Sequence, residues 1–222
     1  MNVVIISGGR FPWKSVPDFL GKILEESTVV MAVDGGLSYC EQLGIVPEHI
    51  VGDFDTVGKP RVEYYRNQPG ILIHEYSANK DMTDTKAAIE LSIELIESRK
   101  EKGRIYLLGA TGNRQDHMLA NIGCLRYATR RGIDMVMVDD KNSIRCYDRS
   151  FTVERKELYD TKYLSLLALE PVKNLHIKGM KYGAEGMELD ILSDIGVSNE
   201  ITEDTAVVSF DEGCLLLIAS KD

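Results

Sequence analysis

The sequence predicts a doubly wound, mainly parallel α/β sheet domain over residues 1–142, followed by a smaller all-β sandwich domain over residues 143–222. Two observations carry this. Through the first 140 residues, short runs that are apolar at consecutive positions alternate with helical patterns. A strand apolar at every position is covered on both faces, the condition of a parallel sheet with helices above and below it. From about residue 143 the texture changes to short strand patterns joined by turns, with no helical period of ten residues or more.

In chain order, the strands of the first domain are "NVVIIS" (2–7), "TVVMAVD" (28–34), "HIVGD" (49–53), "ILIHEY" (71–76), "RIYLLGA" (104–110) and "DMVMVDD" (134–140). Between the fourth and fifth, "TDTKAAIELSIELIESRK" (83–100) carries an apolar pattern at Ala88, Leu91, Leu95 and Ile96 that marks a helix. "DHMLANIGCLRYATRRG" (116–132) reads as the next. In the second domain the strands are "SIRCYDRSFTVER", "KYLSLLALE", "KNLHIKG", "MELDIL", "TAVVSFDEG" and "CLLLIASKD", with the sandwich closed by a turn at Asp211–Gly213. There are no repeats and no low-complexity linker.

A chain of 222 residues with 44% hydrophobic content and six prolines can bury a sizeable core in each domain. No apolar run reaches the roughly 18 residues a membrane helix needs, and "MNVVIISGGR" lacks a basic leader and a small-residue cleavage site, so a cytoplasmic protein is expected. Cys40, Cys124, Cys146 and Cys214 are far apart, without a CxxC pair or a histidine at metal-ligand spacing, and read as buried free thiols. A net charge of −9 argues against nucleic acid or an anionic membrane as partner. It leaves room for a cationic ligand, or for an anion that arrives with a metal.

Ligands of open α/β sheets bind beyond the carboxyl ends of the strands, so the residues after each strand are the candidates. They are Ser7-Gly8-Gly9, Asp34-Gly35-Gly36, Gly52-Asp53-Phe54-Asp55-Thr56, Lys80-Asp81-Met82-Thr83-Asp84, and Gly109 through His117. Ser7-Gly8-Gly9 and Asp34-Gly35-Gly36 suit backbone N–H groups that approach phosphate oxygens at a helix N-terminus. Each alone is equally a tight strand-to-helix turn.

Asp53 and Asp55 say more. If the segment is extended, both carboxylates face one cavity about 7 Å apart while Phe54 packs the other way. Like charges that close call for a cation between them. Asp81 and Asp84 would serve as caps of the helix that follows, which explains one or two acids. It leaves Lys80 beside them unexplained, and also the convergence of further carboxylates on the rim of Asp53 and Asp55. Mg²⁺ takes one or two carboxylates plus substrate phosphates, so Asp53, Asp55, Asp81 and Asp84 suit a metal-bound polyphosphate. Lys80 and Arg114 would supply positive charge to the phosphates. His117, beside Asp116 where a helix begins, is read as a positioning residue in preference to a general base.

In this order, the segments resemble the thiamine pyrophosphokinase family. The resemblance rests on "VDGG" (33–36), "GDFDT" (52–56), "KDMTDTKAA" (80–88), "GATGNRQDHMLANI" (109–122), "IKGMKYGAEGMEL" (177–189) and "GVSNEI" (196–201), and spans nearly the whole chain. Thr56 stands where the family usually has serine, and "GMKYGAEG" where it more often reads GLKYPL. The resemblance implies transfer of a pyrophosphoryl group from ATP to the hydroxyethyl oxygen of thiamine, with AMP released. It also implies a homodimer with thiamine at the subunit interface. Carried over, Asp53, Asp55 and Asp84 are Mg²⁺ ligands or near neighbours, Asp84 also orienting the attacking hydroxyl, and Arg114 joins them as catalytic. ATP falls to Ser7, Gly8, Gly9, Asp34, Gly35, Gly36, Lys80, Thr83, Thr111, Arg114, Asp116 and His117, and thiamine to Tyr182, Ser198 and Asn199.

Such transfers are catalysed chiefly by alignment and electrostatic stabilisation, which carboxylates holding Mg²⁺ and basic groups on phosphate supply without a covalent nucleophile. Tyr182 would give the cationic, flat substrate an aromatic shelf, unless it packs in the sandwich core. Two rivals remain at this level. Asp53-Phe54-Asp55-Thr56 matches the DxDxT nucleophile motif of haloacid-dehalogenase-like phosphatases, although that motif follows the first strand of its fold and here follows the third. The other is a nucleotide or thiamine sensor without catalysis, for which so many metal-facing carboxylates serve no purpose.

Overall fold

β1 (Asn2–Ile6) has Val3, Val4, Ile5 and Ile6 all fully buried, as a strand covered on both faces must. The computed structural model describes residues 1–13, 21, 24, 28–55, 57–77, 81–100, 102–112, 114–158 and 161–222. The chain divides into two units, Met1–Asp140 and Lys141–Asp222. In the first, β1 is followed by β2 (Thr28–Val33), α1 (Gly36–Leu43), β3 (His49–Gly52), α2 (Lys59–Arg66) and β4 (Leu72–Glu75). Then come α3 (Asp84–Arg99), β5 (Arg104–Leu108), α4 (Gln115–Arg130) and β6 (Asp134–Val138). Among the described residues the strands lie in the order β4-β3-β2-β1-β5-β6, every pair parallel. β1 sits between β2 and β5, so the chain reverses its direction of winding there and opens a crevice at the strand carboxyl ends.

Alternate side chains decide which helix covers which face. Val4, Ile6, Ala32, Ile50 and Leu108 pack with Leu37 and Cys40 of α1 and Val62 and Tyr65 of α2. Ile5, Met31 and Leu107, one position on, point to the opposite face, where the Ser92 hydroxyl of α3 reaches Met31 Sδ at 3.3 Å. Each such aliphatic side chain removed from water contributes about 1.5–3 kcal/mol.

Helix α3 starts where the Thr83 hydroxyl accepts from Lys86 N at 3.2 Å, and ends at Lys100 in the left-handed region. The N-cap is therefore Thr83, and neither Asp81 nor Asp84 takes that role. Its buried stripe runs through Ala88, Ile89, Ser92, Ile93 and Ile96, while Leu91 and Leu95 are only half-buried. The apolar pattern is misleading because Ser92, polar by type, is fully buried with its hydroxyl donating to the Ala88 carbonyl at 2.7 Å.

The second unit is antiparallel: β7 (Asn142–Tyr147), β8 (Phe151–Glu154), β9 (Tyr163–Lys178), β10 (Ala184–Leu189), β11 (Thr205–Ser209) and β12 (Glu212–Ser220). β12 lies between β7 and the first half of β9, and the second half of β9 lies between β10 and β11, which in turn pairs with β8. Leu164, Leu166, Leu215 and Leu217 meet Val172, Leu175, Ile177, Ala206 and Val208 in one core.

"KYLSLLALE" and "KNLHIKG", expected as two strands, are one. β9 continues through Pro171 because β12 shifts register between Glu212, opposite Lys173, and Cys214, opposite Glu170. The bulge falls where proline has no N–H to donate, so no ladder hydrogen bond is lost. Gly213, expected in the closing turn, instead lies inside β12 at φ +117°, opposite that bulge.

Candidate functional site

Three carboxylates converge at the ends of β2 and β3 and the start of α3. Asp34, Asp53 and Asp84 each place an oxygen within 4.8 Å of the others, and all three are half-buried. Backbone conformation brings them there. Asp34 leaves β2 at φ +44°, tied by its N–H to the Val51 carbonyl at 3.1 Å, and Phe54 follows Asp53 at φ +61° with its ring buried. Left-handed conformations at residues other than glycine carry strain that the surrounding packing must hold, and they gather at functional sites. Asp84 is fixed by the Thr83 cap at the positive end of α3.

Gly52 makes room for this group, since a β-carbon there would lie 2.0 Å from Asp34 Oδ1. That oxygen is buried and accepts no hydrogen bond from the described residues. Burial first, then the charge of Asp84 and a hydrogen bond shared with its carboxyl, then the charge of Asp53, push the Asp34 carboxyl up to about 7, against the Phe54 N–H. An orphaned hard oxygen among like charges is a fitting donor set for a divalent cation such as Mg²⁺.

The other expected acids lie outside the group. Asp55 is exposed, and its N–H donates to Asp53 Oδ1 at 3.3 Å. The segment is not extended, because Phe54 is left-handed, and Asp55 is not among the converging carboxylates, so the expectation of Asp53 and Asp55 side by side on an extended segment is corrected. Asp81 is exposed in a bend before α3. Lys80, Thr56 and Asn113 lie outside the described residues.

Around the acids, the glycine turns are engaged with one another. Gly9 N–H donates to Gly109 O at 2.8 Å and Arg10 N–H to Thr111 O at 2.7 Å, clamping the loop after β1 to the loop after β5. Gly8 and Gly35 pack backbone to backbone, and Gly36 opens α1 against the Ile6 carbonyl. Ser7 is buried with its hydroxyl 3.0 Å from that of Thr85, joining β1 to α3. Thr83 uses its hydroxyl as the cap. Arg114, at the N-terminus of α4, grips Asp116 with two hydrogen bonds of 3.0 and 2.5 Å. The guanidinium holds the Asp116 carboxyl well below the usual carboxylate range. His117 is exposed in the first turn of α4.

In the second unit, Tyr182 is 59% exposed, which removes the reading of core packing. Asn199 is buried and ties Tyr182 down by its backbone: Oδ1 accepts from Tyr182 N–H at 3.0 Å and from Glu200 N–H at 2.9 Å, and Nδ2 donates to Tyr182 O at 2.7 Å. Ser198 is exposed at φ +59°, its N–H on the Ser165 hydroxyl at 3.0 Å.

Sequence reasoning gave no individual role to three residues. Gly52 and Thr85 hold the acids and the β1 loop in place, and Asn121, buried in α4, donates to the Ala110 carbonyl at 3.0 Å to fix the loop after β5. The signal for Gly52 was a glycine closing an apolar strand directly before an acid; Asn121 offered none beyond a polar residue on the inner face of a helix.

Residues 20–137 match the family described as thiamin pyrophosphokinase, catalytic domain, and residues 150–215 that described as thiamin pyrophosphokinase, vitamin B1 binding domain. A thiamine pyrophosphokinase of Bacillus subtilis is 30% identical over 226 aligned residues, which cover 100% of this chain and 99% of that protein. The crystal structure of thiamine pyrophosphokinase from Bacillus subtilis superposes with a TM-score of 0.86 at 26% identity, covering 100% of both chains. A thiamin pyrophosphokinase family protein of Enterococcus faecalis gives 0.82 at 26%, again over 100% of both chains. Thiamin pyrophosphokinase from Candida albicans shares the fold at a TM-score of 0.79 with 18% identity, covering 99% of this chain and 89% of its own.

Proposed function

The chain belongs to the thiamin pyrophosphokinase family, and from that premise we propose that Asp34, Asp53 and Asp84 hold the divalent ion on which its reaction depends. The reaction is pyrophosphoryl transfer to thiamine. In it, the hydroxyethyl oxygen of thiamine forms a bond to the β-phosphorus of ATP, the bridge between the α- and β-phosphorus breaks, AMP leaves, and the hydroxyl proton is lost. The observation that carries the assignment is the orphaned Asp34 oxygen inside a ring of three carboxylates. Mg²⁺ bound there would offset charge developing on the transferred group.

Asp55, at the exposed lip of the same turn, we assign to the ATP-bound state. Arg114 and Asp116, presented together at the start of α4, are the groups we assign to the nucleotide phosphates, with Arg114 supplying the charge. Ser7, Gly8, Gly9, Gly35 and Gly36 shape the floor beneath, their backbones fixed by one another. Tyr182 presents the thiamine-facing surface, and Asn199 holds it. The phosphatase reading of the Asp53-Phe54-Asp55 motif falls with the family assignment.

A homodimer is part of the same proposal. Ile191, Leu192, Ile195 and Val197 form a largely exposed apolar run beside Ser198 and Asn199, more than a monomer's surface favours. Sedimentation should give twice the chain mass. Buried free thiols at all four cysteines suit a reducing cytoplasm, and among the described residues no helix is long and apolar enough to cross a membrane.

The test is incubation with ATP, MgCl₂ and thiamine, followed by mass analysis. Thiamine diphosphate and AMP formed in equal amounts, and lost on chelation of the metal, support the reading. Thiamine-independent phosphate release would refute it.

A further inference from the structure

Register places Cys146 of β7 opposite Leu216 of β12, so Cys214, two residues earlier on β12, is its diagonal neighbour on the same face. Leu215, Leu217 and Ala219 point the other way, into the core of the second unit. Diagonal partners ordinarily stand about 7–8 Å apart at Cα, too far for two thiols to touch unless a strand is locally deformed. Here it is deformed, because Gly213, directly before Cys214 on β12, stands at φ +117°, and the bulged β9 beside it shifts register on both sides of Cys214. Bulges re-aim the neighbouring side chain. The result is a Sγ···Sγ separation of 3.1 Å between two thiols that form no disulfide, each more than nine-tenths buried.

We propose that Cys146 and Cys214 form a modification site: a vicinal dithiol that a small hydroperoxide converts reversibly to a disulfide. A lone buried thiol behaves as a small, inert hydrophobe. A pair in contact differs, because a sulfenic acid formed at one sulfur is captured by the other before it is oxidised further. One thiolate attacks the hydroperoxide, the O–O bond breaks, and ROH leaves with the proton. The second thiol then attacks the sulfenic sulfur, the S–S bond forms and water leaves. In sum two thiols and ROOH give one disulfide, ROH and H₂O, the sulfurs losing the two electrons that the peroxide gains. Closing from contact to a bond of about 2.05 Å asks for a shift of about 1 Å, which a strand bent at Gly213 supplies more easily than a regular ladder would. Burial sets the rate, since the oxidant enters only as the β7–β12 pairing opens. None of this depends on the reading of the carboxylate site, which lies in the other unit.

The full chain, reduced, is exposed to hydrogen peroxide, quenched with an alkylating reagent in denaturant, weighed and mapped. The expected product has lost two hydrogens and joins the peptides of Cys146 and Cys214. Cys40 and Cys124 stay alkylated, dithiothreitol restores the starting mass, and neither Cys146→Ser nor Cys214→Ala forms the link. Linkage of a different pair overturns the proposal. So does sulfinic acid at Cys146 or Cys214 without linkage, or a wild-type chain that stays fully alkylated at peroxide levels that oxidise it when unfolded.

Discussion

A β-carbon on Gly52 would stand 2.0 Å from Asp34 Oδ1, so the smallest residue of β3 sets the position of a carboxyl pushed up to about 7. Gly52→Ala should therefore displace Asp34 while leaving every ion-binding side chain chemically unchanged. Misplacement by about 1 Å costs on the order of a hundredfold in rate, so kcat/KM should fall about ten- to a hundredfold while the circular dichroism spectrum stays native. Wild-type kinetics in the folded variant would show that Asp34 is not held by this contact.

The raised Asp34 carboxyl makes stability depend on pH. Its ordinary value is 3.8 and its folded value about 7, so the charged form is disfavoured in the folded state. The sign follows: below 3.8 the group is protonated in folded and unfolded chains and costs nothing, and stability is lost as pH rises from there to about 7 and is level above it. In chelator the melting temperature should fall across that window, and MgCl₂ should restore it most above pH 7, where the ion meets no competing proton. Asp34→Asn, which tolerates the left-handed backbone, should flatten the pH profile and abolish the Mg²⁺ effect. A Mg²⁺ shift that persists in Asp34→Asn would remove Asp34 from the donor set.

Ion binding and turnover should separate at the acids. Asp84→Asn and Asp53→Asn remove a carboxylate from the group itself, and are expected to lose both nucleotide-free Mg²⁺ stabilisation and about a hundredfold or more in turnover. Asp55→Asn should lose turnover and keep the Mg²⁺ effect on melting without nucleotide, because its carboxylate lies outside the group. Calorimetric melting with and without Mg²⁺, beside steady-state rates, distinguishes the two classes. Loss of Mg²⁺ stabilisation in Asp55→Asn would place it among the primary ligands after all.

The sheet was legible in the sequence because strands covered on both faces cannot hide their continuous apolar character, and the acids were legible because they follow those strands. What was not legible depends on backbone conformation. An alternating-face argument paired Asp53 with Asp55, and the left-handed Phe54 breaks it; the same conformation at Asp34 brings in a carboxylate from the neighbouring strand. Pro171 reads as a strand end, and only the register shift of β9 against β12 shows why β9 passes through it. Ser92 falls outside the apolar pattern of Ala88, Leu91, Leu95 and Ile96, and a hydrogen bond to its own helix lets it be buried. In each case a contact distant in sequence, or a single dihedral angle, overrides the local pattern.

Tyr182 and Asn199 divide one task between exposure and support, and substitution should separate them. Tyr182 makes its ring available, so Tyr182→Ala should change stability by less than about 1 kcal/mol and raise the thiamine KM about tenfold with kcat little altered. Asn199 is buried, and its amide is committed to Tyr182 N–H, Tyr182 O and Glu200 N–H. Asn199→Ala leaves those backbone groups without partners, at roughly 1 kcal/mol each, so it should cost about 2–3 kcal/mol of stability as well as raising the thiamine KM. The double variant should raise the KM no further than Tyr182→Ala alone, because Asn199 acts on thiamine only through the residue it holds. Additive KM effects would show that Asn199 touches the substrate itself, and an unchanged KM in Tyr182→Ala would show that the exposed ring serves some other contact.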